Sequence, residues 1–271
     1  MNSNQIKLIV TDMDGTLVKS NHELPDDFFS VFEMLKQKGI LFCVASGRQY
    51  YNLREQMLPI KDEIYFAAEN GSLLMHKEEE QQINDLPFDT VLELLEIGRK
   101  VPNTYTLFCG RKSCYVESDA PELMAQLKKY YHKFEVVDDL SKVDDKILKF
   151  TICDLNGAEK YTLPYFEQYK NEMNVKVAGA MWLDISAPDA NKGKAIETLQ
   201  KLHNISPEET MVFGDYLNDL EMMSCAYFSY AMENAHEELK QAARFITKSN
   251  DNDGVLEVIR REVLELPESK V

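Results

Sequence analysis

Asp12 and Asp14 stand two residues apart just after the apolar run Leu8-Ile9-Val10, inside the string Asp12-Met13-Asp14-Gly15-Thr16. In an extended segment residues i and i+2 face the same way, so both carboxylates are directed beyond the strand while Gly15 lets the chain turn away. Two carboxylates on one side invite a metal ion. A second acidic string, Gly214-Asp215-Tyr216-Leu217-Asn218-Asp219, follows a later apolar run, Thr210 to Phe213. In open α/β sheets ligands sit beyond the carboxyl ends of the strands, where groups distant in sequence converge. The two strings together are therefore read as one phosphoryl-transfer site.

Each string also has a plainer explanation. Asp, Gly and Thr are ordinary turn residues at a strand end, and Asn218 or Asp219 would serve as a helix N-cap. A calcium loop of the EF-hand type is excluded: with Gly15 as the sixth position, the twelfth is Asn21 rather than Glu. The same test on Asp251-Asn252-Asp253-Gly254 puts Ser249 first and Arg260 last, so that segment reads as a loop and helix start.

Two further groups join the acidic strings. Ser46-Gly47-Arg48 follows the apolar run Ile40 to Ala45, giving a hydroxyl, a small turn residue and a fixed positive charge at a third strand end; a capped helix start is the plainer alternative. Lys192, in Asn191-Lys192-Gly193, opens a helix whose free backbone N–H groups already favour an anion. A lysine there opposes the helix dipole, which favours a functional role over a structural one.

The elements that must position these residues follow a βαβ rhythm: Ile6 to Val10, an amphipathic helix over Asp26 to Lys38 bounded by Pro25 and Gly39, Ile40 to Ala45, and Ile64 to Ala68 before Glu69-Asn70-Gly71. The rhythm changes near the acidic stretch Lys77 to Gln82. Beyond it, Tyr105 to Cys109 and Ser113 to Glu117 bracket Gly110-Arg111-Lys112 like a hairpin. Strands at Ile147 to Cys153, Val175 to Ala178 and Met181 to Ile185 then mix with helices near Pro121 to Tyr131 and Ala158 to Asn171. After Pro188 the parallel rhythm resumes, with helices at Asn191 to His203, after Asn218, at Ala235 to Ala243 and at Val255 to about Leu264. Strands interleave at Thr210 to Phe213, Tyr227 to Tyr230 and Arg244 to Thr247. The expected fold is α/β: a Rossmann-like parallel-sheet core, residues 1–82 plus 187–271, interrupted by an inserted α+β domain, residues 83–186.

A chain of 271 residues is long enough for two domains. Thirty basic against 46 acidic residues leave a formal charge of -16, which argues against nucleic-acid and anionic-membrane partners. An anionic ligand must instead be met by local cations. Met1 to Asn4 is polar without a basic stretch, no apolar run reaches membrane-spanning length, and five cysteines without metal-type spacing read as reduced thiols of a cytoplasmic protein. A monomer or weak dimer is the expected oligomeric state.

The four groups, Asp12-Met13-Asp14-Gly15-Thr16, Ser46-Gly47-Arg48, Asn191-Lys192-Gly193 and Gly214-Asp215-Tyr216-Leu217-Asn218-Asp219, are similar to the four motifs of the haloacid dehalogenase superfamily. The insert resembles the C2-type cap of the Cof-type sugar-phosphate phosphatases. So does the tail, with Met232-Glu233-Asn234-Ala235 and Asn250-Asp251-Asn252-Asp253-Gly254-Val255; Glu233 departs from the glycine frequent there. The resemblance implies Asp12 as nucleophile forming an aspartyl-phosphate, with Asp14 protonating the leaving oxygen and then activating water. It implies Mg2+ on Asp12, Asp215 and the Asp14 backbone carbonyl, with Asp219 in the same metal site, orienting Lys192 or a metal-bound water. Ser46, Gly47, Lys192 and Asn218 would hold phosphate oxygens, and Asn70 and Arg48 would contact substrate. The cap would set specificity for a small phosphorylated metabolite, with sugar phosphates leading over pyridoxal phosphate, flavin mononucleotide and nucleotides.

Two alternatives stay open at this level. A phosphomutase or phosphotransferase would use the same chemistry with a sugar hydroxyl as acceptor. A non-catalytic phosphometabolite-binding protein would not need Asp14, whose presence weighs against it. No Gly-x-Ser-x-Gly elbow, Walker A string or Gly-x-Gly-x-x-Gly fingerprint is present.

Overall fold

The computed structural model describes residues 6–266, so Met1 to Asn4 lie outside it. The chain divides into two compact units. The first is drawn from Met1–Gly47, Met57–Gln82 and Asn191–Val271, the second from Arg48–Gln56 and Ile83–Ala190. In chain order the strands are β1 (Leu8–Thr11), β2 (Leu41–Ala45), β3 (Tyr65–Ala68), β4 (Leu73–His76), β5 (Glu79–Ile83), β6 (Thr104–Gly110), β7 (Cys114–Val116), β8 (Phe134–Val136), β9 (Ile147–Asp154), β10 (Asn174–Val177), β11 (Trp182–Ser186), β12 (Thr210–Gly214), β13 (Phe228–Met232) and β14 (Phe245–Thr247).

The first sheet runs β14-β13-β12-β1-β2-β3-β4-β5. Its first six strands pair in parallel, and β4 pairs antiparallel to β3. The α/β expectation with a parallel-sheet core is therefore borne out. Leu8, Ile9 and Val10 are wholly buried, as are Val212 and Phe213 beside them. That is why these strands read as unbroken apolar runs: a parallel sheet is covered on both faces. The helix Phe28–Gln37 buries Phe28, Val31, Phe32 and Leu35 at helical spacing. It ends where Gly39 turns left-handed and Ile40 N–H donates to the Leu35 carbonyl.

This strand order locates the chemistry. Thr11 lies opposite Phe213 on one side and Val44 on the other, and Ala45 lies opposite Ala67. The residues leaving β12, β1, β2 and β3 at their carboxyl ends are consequently neighbours.

The acidic stretch Lys77 to Gln82 is not simply the end of a rhythm. Glu79–Ile83 forms the edge strand β5, entered through Lys77 and Glu78, both at positive φ (50° and 65°). Two consecutive left-handed residues make the tight hairpin turn that Asn-Gly usually supplies. With neither residue present, and with charged side chains suited to an exposed edge, the hairpin had no sequence signal.

The second unit is a six-stranded sheet, β10-β11-β9-β6-β7-β8, antiparallel except between β7 and β8. Alternate residues feed two separate cores, as the strand period requires. Phe108, Phe150, Ile152, Leu183 and Ile185 pack with Val91, Leu94 and Leu95 of the helix Phe88–Gly98. Leu107, Cys109, Cys153 and Trp182 pack with Leu123 and Leu127 of the helix Pro121–Tyr130. The helix expected over Ala158 to Asn171 is broken instead into Ala158–Tyr161, Leu163–Tyr165 and Glu167–Asn171. Pro164 in its interior lacks the N–H that a continuous helix needs.

Candidate active site

Asp12 leaves β1 with its N–H donating to the Phe213 carbonyl, so the chain is still paired to β12 when the carboxylate emerges. Gly15 then turns at φ 76°, and a Cβ there would stand 2.2 Å from an Asp215 oxygen. Only glycine lets the loop pass so close to that carboxylate. Thr16 Oγ1 donates to Asp215 Oδ1 at 3.3 Å.

Lys192 is wholly buried, and its Nζ donates to Asp12 Oδ1 at 2.5 Å and to Asp219 Oδ1 at 2.6 Å. Asn191 caps its helix by accepting from Lys194 N–H at 2.9 Å, which fixes the first turn and hence the lysine stem. Asp219, also wholly buried, does not cap the helix Leu220–Ser224. Its Oδ2 reaches back to the N–H groups of Asp215 and Tyr216, at 3.0 and 3.3 Å. It therefore folds the loop that carries Asp215 while holding the lysine.

One carboxylate oxygen from each of Asp12, Asp215 and Asp219 lies within 4.8 Å of the others. Burial, with Asp219 and Asp215 nearby, pushes Asp12 up to about 8 against the pull of Lys192. Burial and Asp219 push Asp215 up to about 6. Lys192 is disfavoured as a cation by burial, but Asp12 and Asp219 outweigh this and raise it. Three carboxylates this close, two buried and one half-buried, could together hold a cation, and an all-oxygen donor set suits a hard ion.

A neutral side-chain cluster lies at the neighbouring strand ends. Asn70 is left-handed at φ 54°, donates its N–H to the Ser46 carbonyl at 2.9 Å, and accepts from Asn218 Nδ2 at 3.0 Å through Oδ1. Its side chain packs at Gly47, where a Cβ would meet it at 3.1 Å. Ser46, Gly47, Asn70 and Asn218 are thus one group. Asp14 is exposed, and its carboxylate is not among the three that cluster. Arg48 belongs to the second unit, where Nη1 donates to Gln56 Oε1 at 2.8 Å.

Three residues of the loop architecture had been given no role. Thr16 contacts Asp215, Asn234 Nδ2 donates to the Gly15 carbonyl at 2.8 Å, and Asn250 Nδ2 donates to the Val18 carbonyl at 2.9 Å. Their one sequence signal was membership in the strings already quoted.

From residue 9 to residue 259 the sequence matches the haloacid dehalogenase-like hydrolase family. It is 34% identical over 263 residues to the 5-amino-6-(5-phospho-D-ribitylamino)uracil phosphatase YbjI of Escherichia coli, covering 94% of this chain and 95% of that protein. It is 24% identical to the enzyme of the same activity name, YitU, from Bacillus subtilis, covering 93% and 96%. A Eubacterium rectale protein of known crystal structure superposes with a TM-score of 0.88 at 30% identity, over 94% of this chain and 98% of that one.

Proposed function

This chain belongs to the haloacid dehalogenase-like hydrolase family, and we propose that it is a Mg2+-dependent phosphatase of small phosphorylated metabolites, working through an aspartyl-phosphate on Asp12. The observation that carries this reading is the buried Lys192 shared between Asp12 and Asp219, with Asp215 close enough to form a three-carboxylate cluster.

Three carboxylates against one lysine leave a net negative site that repels a phosphate dianion. At about 4 Å and an effective dielectric near 20, each unit-charge pair is worth roughly 4 kcal/mol, enough to decide between binding and exclusion. Asp12, Asp215 and the Asp14 carbonyl would hold Mg2+, which supplies charge neutralisation and keeps the nucleophile ionised. Asp219, with Oδ2 taken by two N–H groups and Oδ1 by Lys192, belongs to the site chiefly as the anchor of that lysine.

The chain's own residues supply the rest. Asp12 attacks phosphorus; the ester bond breaks, and Asp14 gives its proton to the leaving oxygen. Asp14 then takes a proton from the water that releases phosphate from Asp12. Splitting one displacement into two eases each, and positioned charge accounts for most of phosphoryl-transfer catalysis. Lys192, Ser46, Gly47 and Asn218 receive phosphate oxygens, with Asn70 setting the Asn218 amide; Arg48 is assigned to the substrate's remainder. The relatives' activity names point to a phosphate ester on a primary sugar-alcohol carbon, so sugar-type alkyl phosphates are the proposed substrates. The insert is the proposed specificity domain. Five buried cysteines and a charge of -16 favour a cytoplasmic protein without nucleic-acid or membrane partners.

The test is phosphate release from a panel of sugar phosphates with Mg2+. Activity is expected to vanish in excess chelator and in Asp12→Asn, with circular dichroism unchanged. Full turnover in either case overturns the scheme, and an isomerised phosphate in place of free phosphate would make the enzyme a mutase.

A further inference from the structure

The loop that carries Asp14 is gripped from outside by the C-terminal part of the first unit. Asp14 and Val18 form a short parallel bridge, with Val18 N–H donating to the Met13 carbonyl at 2.8 Å, so residues 13–18 make a tight turn beside Asp215. Its outward-facing groups are taken up one after another. The Gly15 carbonyl accepts from Asn234 Nδ2 at 2.8 Å, and the Val18 carbonyl accepts from Asn250 Nδ2 at 2.9 Å. Lys19 Nζ meets Asp253 Oδ1 at 3.1 Å. Ser20 donates through both N–H and Oγ to Asp251, each at 2.8 Å.

The two asparagines are themselves joined, since Asn250 N–H donates to Asn234 Oδ1 at 3.2 Å. Asn250 is buried at 6% exposure, so its amide is committed to these partners rather than to water. An amide spent on a distant backbone carbonyl fixes that carbonyl's position, which is what a catalytic loop built on glycine lacks on its own.

We propose that Asn234 and Asn250 are positioning residues for Asp14: they hold the turn so that the Asp14 carboxyl meets the leaving-group oxygen. This rests on the acid role given to Asp14 above. Misplacing a catalytic group by about 1 Å can cost on the order of 100-fold, and general acid catalysis itself supplies roughly 100-fold or more. The loss must fall on substrates that need the proton. An alkyl phosphate has a poor leaving group and needs it; p-nitrophenyl phosphate releases a stable phenolate and needs it little.

The experiment measures kcat/KM, which reports steps through the first irreversible bond cleavage, for a hexose 6-phosphate and for p-nitrophenyl phosphate. The proteins are the wild type, Asn250→Asp and Asn234→Ala, all with saturating Mg2+. The expected result is a fall of roughly 10-fold or more for the alkyl ester and less than about 3-fold for the aryl ester in both variants. An equal fall for both esters, or no fall for either, overturns the assignment. Should Asn250→Asp fail to fold, Asn234→Ala, at an exposed position, decides alone. A wild type inactive on both esters would instead remove the phosphatase reading itself.

Discussion

Asp12 and Asp215 are held up to about 8 and about 6, in each case by burial first. A carboxyl whose pKa in the folded protein exceeds its unfolded value, here 3.8, gives its full stabilisation below that value. It loses this contribution as pH rises through the folded pKa. The cation-free protein is therefore expected to lose stability from this site as pH climbs through about 6 and then about 8. Bound Mg2+ favours the ionised forms and opposes the loss. Thermal melts with and without Mg2+ should show a larger metal-induced rise in Tm at about pH 8.5 than at about pH 5.5; a larger rise in acid would contradict these pKa directions. Asp12, Asp215 and Lys192 were legible because strand-end carboxylates and a lysine at a helix start are conspicuous by type. Asn234 and Asn250 were conspicuous only as parts of strings, since what they do depends on backbone carbonyls more than 200 positions away.

At the scale of elements, the turn Glu69-Asn70-Gly71 is the most constrained, with φ of 49°, 54° and 86° in succession. Gly71 packs against the Asn191 carbonyl, which a Cβ would approach to 2.2 Å, so this turn sits directly on the residue that caps the Lys192 helix. Gly39 is equally left-handed at φ 71° but has open space around it. Gly39→Ala is expected to cost about 1 kcal/mol from backbone strain alone. Gly71→Ala is expected to cost about 2 kcal/mol or more and to lower kcat/KM as well, because the collision displaces the cap. Urea unfolding checks the first part and steady-state kinetics the second; equal costs at the two sites would show that the close approach is unimportant. The helix Phe88–Gly98 was missed although Val91, Leu94 and Leu95 carry its apolar face. The split at Pro164, by contrast, was readable from the proline.

The whole molecule carries -16 while its site must admit a phosphate dianion. Long-range repulsion of that kind is screened by salt, with a Debye length of about 10 Å at 0.1 M. At saturating Mg2+, moderate NaCl is expected to lower KM for an alkyl phosphate or leave it unchanged. A KM rising several-fold with salt would show that a basic approach surface dominates instead. Among the described residues no helix is long and apolar enough to cross a membrane. The parallel core was legible in the βαβ rhythm, whereas the order β12-β1-β2-β3 came from the packing. The units were less legible: residues 48–56 cluster with the second, and no change of composition marks that excursion.

By itself the sequence pointed to the kind of chemistry, because four separate strings at strand ends and a helix start together resemble one family's motifs, and it determined the parallel core, because strands covered on both faces must be continuously apolar. Only the tertiary structure decided which carboxylates share a space, that Lys192 is enclosed between two of them, that Asp219 turns back on its own loop, and that Asn234 and Asn250 bind the turn that carries Asp14. Those facts depend on distances between segments brought together by packing, and hydrophobic periodicity describes which face is buried without saying what it will meet.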